Sequence, residues 1–132
     1  MFEWKQEYSI GMPHIDAQHQ ALFRMAMELY AAMSTGQGTK VVARILERLV
    51  QYTEQHFTAE ERLMRQHKYP GLEEHREQHL ALNKKVLEFQ ADFQGGQTMM
   101  TVQIFRFLQN WLQTHIQQSD MAYATFIKAK AA

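Results

Sequence analysis

The chain has 132 residues, no cysteine, and 14 basic residues against 14 acidic ones, so its formal charge is zero with histidine neutral. That length predicts one domain, residues 1–132, able to bury a core without cross-links, and the missing thiols exclude disulfides, thiolate metal ligands and a cysteine nucleophile. Balanced charge with no basic run makes nucleic acid and anionic membrane surfaces poor partners, and no apolar stretch approaches the ~18 residues that would span a bilayer. No continuous apolar segment opens the sequence, so no secretory signal is visible and a cytoplasmic location is expected.

Residues 1–15 form a polar-aromatic arm with Phe2, Trp4, Tyr8 and Ile10, closing in Gly11-Met12-Pro13. Its aromatics are expected to pin it across the outside of the protein. Asp16, after the apolar Ile15, reads as an N-cap, and the helix it starts runs to about Met33 with His19, Leu22, Phe23, Ala26, Leu29, Tyr30 and Met33 on one face. Ser34-Thr35-Gly36-Gln37-Gly38 ends it. Thr39 caps a second helix to about Gln66, whose inward positions Val42, Ile45, Leu46, Leu49, Tyr52, His56, Glu60 and Leu63 keep the helical period. Lys68-Tyr69-Pro70-Gly71 is a turn.

A third helix begins at or just after Pro70-Gly71, buries Leu72, His75, His79, Leu82, Val86, Phe89 and Phe93, and is broken by Gly95-Gly96. The fourth, from about Thr98 to Lys128, carries Val102, Phe105, Leu108, Trp111 or Leu112, His115, Asp120, Tyr123 and Ile127. Here the period slips. His115 and Asp120 are five apart, roughly 140° on a regular helix, so they share a site only through reach, a kink or a π-bulge. No strand shows clean period-two alternation.

Four amphipathic helices with short connections predict an all-α, up-down-up-down antiparallel four-helix bundle. The polar positions fall early on the first helix, late on the second, early on the third and late on the fourth. An antiparallel bundle brings all of them to one end.

There they assemble five imidazoles and two carboxylates: His19, His56, Glu60, His75, His79, His115 and Asp120. Any one of these has an ordinary reading as a hydrogen-bonded helix residue. Together, unpaired, they would cost several kcal/mol in a small apolar core, and metal ligation satisfies them at once. Seven donors exceed one tetrahedral zinc. If both carboxylates bridge two ions and an oxo or hydroxo group completes the centre, an ion with three histidines has six ligands and one with two histidines has five. The remaining position would take a small ligand. Nitrogen-rich ligands with only two negative charges suit iron cycling between ferrous and ferric.

Four segments carry a family likeness: Ile15-Asp16-Ala17-Gln18-His19, His56-Phe57-Thr58-Ala59-Glu60-Glu61, His75-Arg76-Glu77-Gln78-His79 and His115-Ile116-Gln117-Gln118-Ser119-Asp120. In these, and over almost its whole length, the chain resembles the single-domain bacterial hemerythrins. The resemblance implies reversible binding of dioxygen at a non-haem pair of irons, ferrous without oxygen and ferric with it, joined by an oxo or hydroxo bridge. It also implies the ligand set: His75, His79 and His115 on the full iron, His19 and His56 on the open one, Glu60 and Asp120 between them. His14 and His67 have no counterpart role and are expected on the surface.

Oxygen transport, storage or delivery is therefore the leading expectation, with no enzymatic turnover. Leu22, Phe23, Trp111, Leu112 and Ile116 are the expected lining of a dry pocket. A di-iron enzyme of the peroxidase, oxidase or nitric oxide reductase type is the rival, weakened because no Glu-x-x-His segment occurs. An oxygen sensor would need a separate partner, since no output domain follows the last helix, and a structural zinc bundle conflicts with the open position. The acceptor of the oxygen is not named by the sequence. The polar face of Glu47, Arg48, Gln51 and Glu54 predicts a monomer.

Overall fold

The computed structural model describes residues 4–36, 39–94 and 101–131. A 3-10 turn, Gln6–Tyr8, precedes α1 (Pro13–Ser34), α2 (Thr39–Gln66) and α3 (Leu72–Gln94). A fourth rod follows, made of α4 (Thr101–Thr114), a π-helical turn (His115–Asp120) and α5 (Met121–Ala131). The rods form the expected four-helix bundle, α1 packing along α2 and α4 and α2 along α3. No helix of the described residues is long and apolar enough to cross a membrane.

The helical period sorts the core as expected. Leu22, Phe23, Ala26 and Leu29 of α1 meet Ile45, Leu46 and Leu49 of α2, with Leu82, Val86, Phe89 and Phe93 of α3 and Leu108, Leu112 and Ile127 of the fourth rod. Thr53, Phe57 and Met64 are also buried on α2, one residue off the stripe read from the sequence. A seven-turn helix in a bundle meets two neighbours, and its buried arc is wider than a single stripe. Thr53 is tolerated there because its hydroxyl donates to the Leu49 carbonyl, 2.7 Å away, one turn back. Glu47, Arg48, Gln51 and Glu54 are exposed.

The α2–α3 connection is closed by the backbone. Tyr69 N–H donates to the Met64 carbonyl (3.0 Å) and Lys68 N–H to that of Arg65 (3.2 Å), with Lys68 at φ +54°. That is the paired hydrogen-bond pattern of a Schellman stop, here with a lysine where glycine is usual. Lys68 therefore reverses the chain before Pro70-Gly71 is reached. The expected breaks at Gln37-Gly38 and Gly95-Gly96, the start near Thr98, and Phe2 lie outside the described residues, as do the side chains of Met33, Val42 and Val102.

One expectation at the N-terminus is corrected. The first helix begins at Pro13, and Asp16 lies inside its first turn instead of capping it. Proline suits that position because its missing N–H would be unpaired there anyway. The Asp16 carboxylate turns back to the arm, accepting hydrogen bonds from Ser9 Oγ (2.6 Å) and the Ile10 amide (2.9 Å). The arm is pinned by its apolar side chains as expected: Tyr8 is 4% and Ile10 1% exposed, while Lys5, Gln6 and Glu7 face solvent. Trp4, Tyr8 and Phe23 form a three-ring cluster with centroids 5.3–5.8 Å apart. Tyr8 also accepts a hydrogen bond from Gln113 Nε2 at 3.0 Å.

An Ile10→Ala variant should accordingly lose about 2–4 kcal/mol in denaturant unfolding, the range for a buried large-to-small change. An arm resting on the surface would lose within about 0.5 kcal/mol.

Candidate metal centre

Antiparallel packing brings the seven donors to one level: His19 from the start of α1, His56 and Glu60 from the end of α2, His75 and His79 from the start of α3, and His115 and Asp120 from the two ends of the π turn. All seven are at most 5% exposed. The i,i+4 pairs work as the helix geometry predicts, His56 Nε2 lying 3.0 Å from Glu60 Oε1. The five-residue gap is resolved by the π turn. Met121 N–H reaches the Ile116 carbonyl five residues back, and Asp120 swings under His115 with Oδ1 3.2 Å from the imidazole Nε2.

The donors divide into two overlapping groups. One is His75, His79 and His115 with Glu60 and Asp120; the other is His19 and His56 with the same two carboxylates. Within each group one candidate atom per residue lies within 4.8 Å of all the others. Asp120 is shared oxygen by oxygen: Oδ1 is 2.9 Å from His75 Nε2, and Oδ2 is 3.0 Å from His19 Nε2. Glu60 Oε1 sits between His56 (3.0 Å) and His79 (3.5 Å), while Oε2 is 3.8 Å from His19.

These contacts are short but not hydrogen-bonded. Both ring nitrogens of His19, His75 Nε2, Glu60 Oε1 and both Asp120 oxygens are buried without a hydrogen-bond partner. So many unpaired polar atoms aimed at one volume fit a set of cation ligands and fit no protein-only network.

The outer sides of three imidazoles are fixed. His56 Nδ1 is 2.6 Å from Gln18 Oε1, His79 Nδ1 2.9 Å from Glu61 Oε2, and His115 Nδ1 2.9 Å from Gln78 Oε1. Each acceptor draws the proton to Nδ1 and leaves Nε2 facing the centre, the arrangement common around ligating histidines. Ser119 Oγ donates to the same Gln78 oxygen at 2.7 Å. The phenol of fully buried Tyr123 donates to Glu60 Oε2 at 2.6 Å. Gln18, Glu61, Gln78, Ser119 and Tyr123 were not singled out as site residues by sequence reasoning. Gln18, Glu61 and Gln78 each stand beside a ligand position in the chain and bond a histidine of the next rod, a relation that no single-helix period reveals.

His79 Nε2 and His115 Nε2 face each other at 3.1 Å, while the Nδ1 of each is turned to an outer acceptor. Burial lowers the pKa of both rings; for His79 the carboxylates of Glu60 and Glu61 outweigh it and raise the pKa, whereas for His115 burial prevails and the pKa falls. His19 is likewise raised, Asp120 and Glu60 overcoming burial. Burial would push the two carboxyls up, but the surrounding imidazoles hold both below their ordinary range. Tyr123 is pushed up by burial and by the charges of Glu60 and Asp120.

Residues 11–127 match the family model described as the hemerythrin HHE cation binding domain. The chain belongs to the hemerythrin family. It is 33% identical to the bacteriohemerythrin of Stenotrophomonas maltophilia (strain R551-3) over 126 residues, 96% of this chain and 81% of that one. It is 30% identical to the bacteriohemerythrin of Pseudomonas aeruginosa (strain LESB58), over 95% and 80% of the two chains. A crystal structure of wild-type hemerythrin superposes with a TM-score of 0.88 at 26% identity, covering 95% of this chain and 96% of that one.

As in the expectation drawn from the sequence, His14 is exposed; His67 is half-buried, its carbonyl accepting from Lys130 Nζ at 3.0 Å. Among the expected pocket residues of this hemerythrin, Leu22, Phe23, Leu112 and Ile116 are buried. Trp111 is only half-buried and stacks on His115, centroids 4.2 Å apart at 16°. A small closed cavity of ≈ 10 Å³ lies between Leu22, Thr53, Phe57 and Leu112. Its lining is apolar except for Thr53.

Metal loading should release protons in weakly buffered solution, since imidazoles bind a cation in the neutral form and His19 and His79 hold their protons more tightly than a free imidazole. Loading should also fall as pH drops into the histidine range. The sign follows from the raised His19 and His79 pKa values: their protons are retained to higher pH than on a free imidazole and compete with the ion there. Titration with zinc or anaerobic ferrous iron, followed by metal analysis, should saturate at two ions per chain.

Proposed function

We propose that this chain is one hemerythrin domain that binds dioxygen reversibly at a pair of iron ions, as a cytoplasmic carrier or store. His75, His79 and His115 would hold one iron, His19 and His56 the other, with Glu60, Asp120 and an oxo or hydroxo group bridging them. The observation that carries this reading is the division of Asp120, one oxygen toward the three-histidine group and the other toward His19. Three imidazoles on one side against two on the other would leave the second ion with one protein ligand fewer, where a small ligand could bind. A ferrous pair, when bound, supplies one electron from each ion to dioxygen and recovers both on release.

The protein's own part is orientation and exclusion of water. Gln18, Glu61 and Gln78 set the tautomers of His56, His79 and His115. Leu22, Phe57, Leu82 and Leu112 of the cavity wall offer no group that could solvate a leaving anion, which favours release of oxygen as oxygen. Thr53, in the same wall, has committed its proton to the Leu49 carbonyl, and Tyr123 has committed its own to Glu60. No uncommitted acid or base lines the cavity among the described residues, which favours the carrier reading over an enzymatic one.

Anaerobic reconstitution with ferrous iron, then admission of oxygen and flushing with inert gas, tests the proposal by visible and resonance Raman spectra. A charge-transfer band that appears with oxygen and disappears on flushing is expected. Direct passage to a ferric centre that flushing does not reverse would sink the carrier reading.

A further inference from the structure

Away from the buried donors, the exposed edges of the arm, α1, α2 and α5 enclose a groove of about 520 Å³. Its volume is that of a small-molecule site. Met12, Ile15 and Leu63 give it an apolar floor, and Arg62, Lys128 and His14 stand around it. No carboxylate lines it. Arg62 is exposed and forms no ion pair or hydrogen bond among the described residues. Lys128 Nζ donates to the Ile10 carbonyl at 2.8 Å, which fixes it at the rim and leaves other N–H donors free. Two cations over an apolar trough, one of them fixed at the rim, complement a molecule with one anionic head and an apolar tail.

We infer that this groove binds an amphipathic carboxylate, a free medium-chain fatty acid, with the head between Arg62 and Lys128 and the tail over Ile15 and Leu63. A guanidinium presents paired donors that match a carboxylate. Gln18 gives the site a consequence. It lines the groove, and its Oε1 is the acceptor 2.6 Å from His56 Nδ1. A ligand pressing on Gln18 alters the hydrogen bond that orients His56, and so is felt at the two-histidine side of the centre. This coupling rests on His56 being an iron ligand; the binding site does not.

Isothermal calorimetry on the full chain with decanoate tests the site, with decyltrimethylammonium as the tail with opposite charge and acetate as the head without a tail. Decanoate should bind at one per chain and the two controls should not. Arg62→Glu, an exposed substitution with no partner to lose, should weaken decanoate at least tenfold while leaving the thermal midpoint near that of the parent. Equal binding of decanoate and decyltrimethylammonium, absence of decanoate binding, or binding only to phosphatidylglycerol vesicles would overturn the site. For the coupling, decanoate should shift the visible spectrum of the iron-loaded protein, and the Arg62→Glu variant should lose that shift at the same concentration. Binding without any spectral change would overturn the coupling and leave the groove as a site of its own.

Discussion

The structure depends on one electrostatic constraint: five imidazoles and two carboxylates are buried at one end of a bundle whose remaining interior is apolar. Removing even paired charges from water costs several kcal/mol per ion, and here the unpaired atoms outnumber the hydrogen bonds that could quiet them. Only positive charge in the middle resolves this. The raised pKa values of His19 and His79 favour protons there; two cations, each drawing on both carboxylates, would supply it fully. Because such cations would bind the folded arrangement and have no counterpart in the open chain, their affinity would add to the stability of the bundle.

Holding the donors in place falls to the helices in turn. Gln18 on α1 fixes His56 on α2, Glu61 on α2 fixes His79 on α3, and Gln78 on α3 fixes His115 on the fourth rod. Each of the first three rods thus orients a histidine of its successor. The result is a run of three cross-helix bonds along the centre, holding three of its five imidazoles from a neighbouring helix. It gives the bundle register, because sliding α2 or α3 by a turn would break the bonds on both of its sides.

Much of this was legible in the sequence because helical periodicity is local. His75 and His79 announce a shared face by spacing alone, and the alternation of early and late donors along the four helices needs only antiparallel packing to converge. The arm's aromatics were legible as anchors, but a short non-periodic stretch carries no face and so does not say what they touch. What buries Tyr8 and Ile10 is their fit to Phe23, Gln113 and Asp16, and those contacts exist only after the fold. Asp16 was misread for a related reason: an aspartate before an apolar run has the chemistry of a cap, but the same carboxylate can cap the preceding loop instead. The outer acceptors were invisible because each acts between helices.

The π turn shows how function overrides local preference. On a regular helix His115 and Asp120 would point roughly 140° apart, and the last rod would offer the centre one ligand, not two. One extra residue in the turn from His115 to Asp120 brings both inward, and it also resets the register downstream so that Tyr123, Ala124 and Ile127 enter the core. A π turn is rare because it gives up regular hydrogen bonding, and it persists where the surroundings require it. Here the requirement is visible in Asp120, whose two oxygens face opposite halves of the centre. Regularising the turn would leave those halves linked through Glu60 alone.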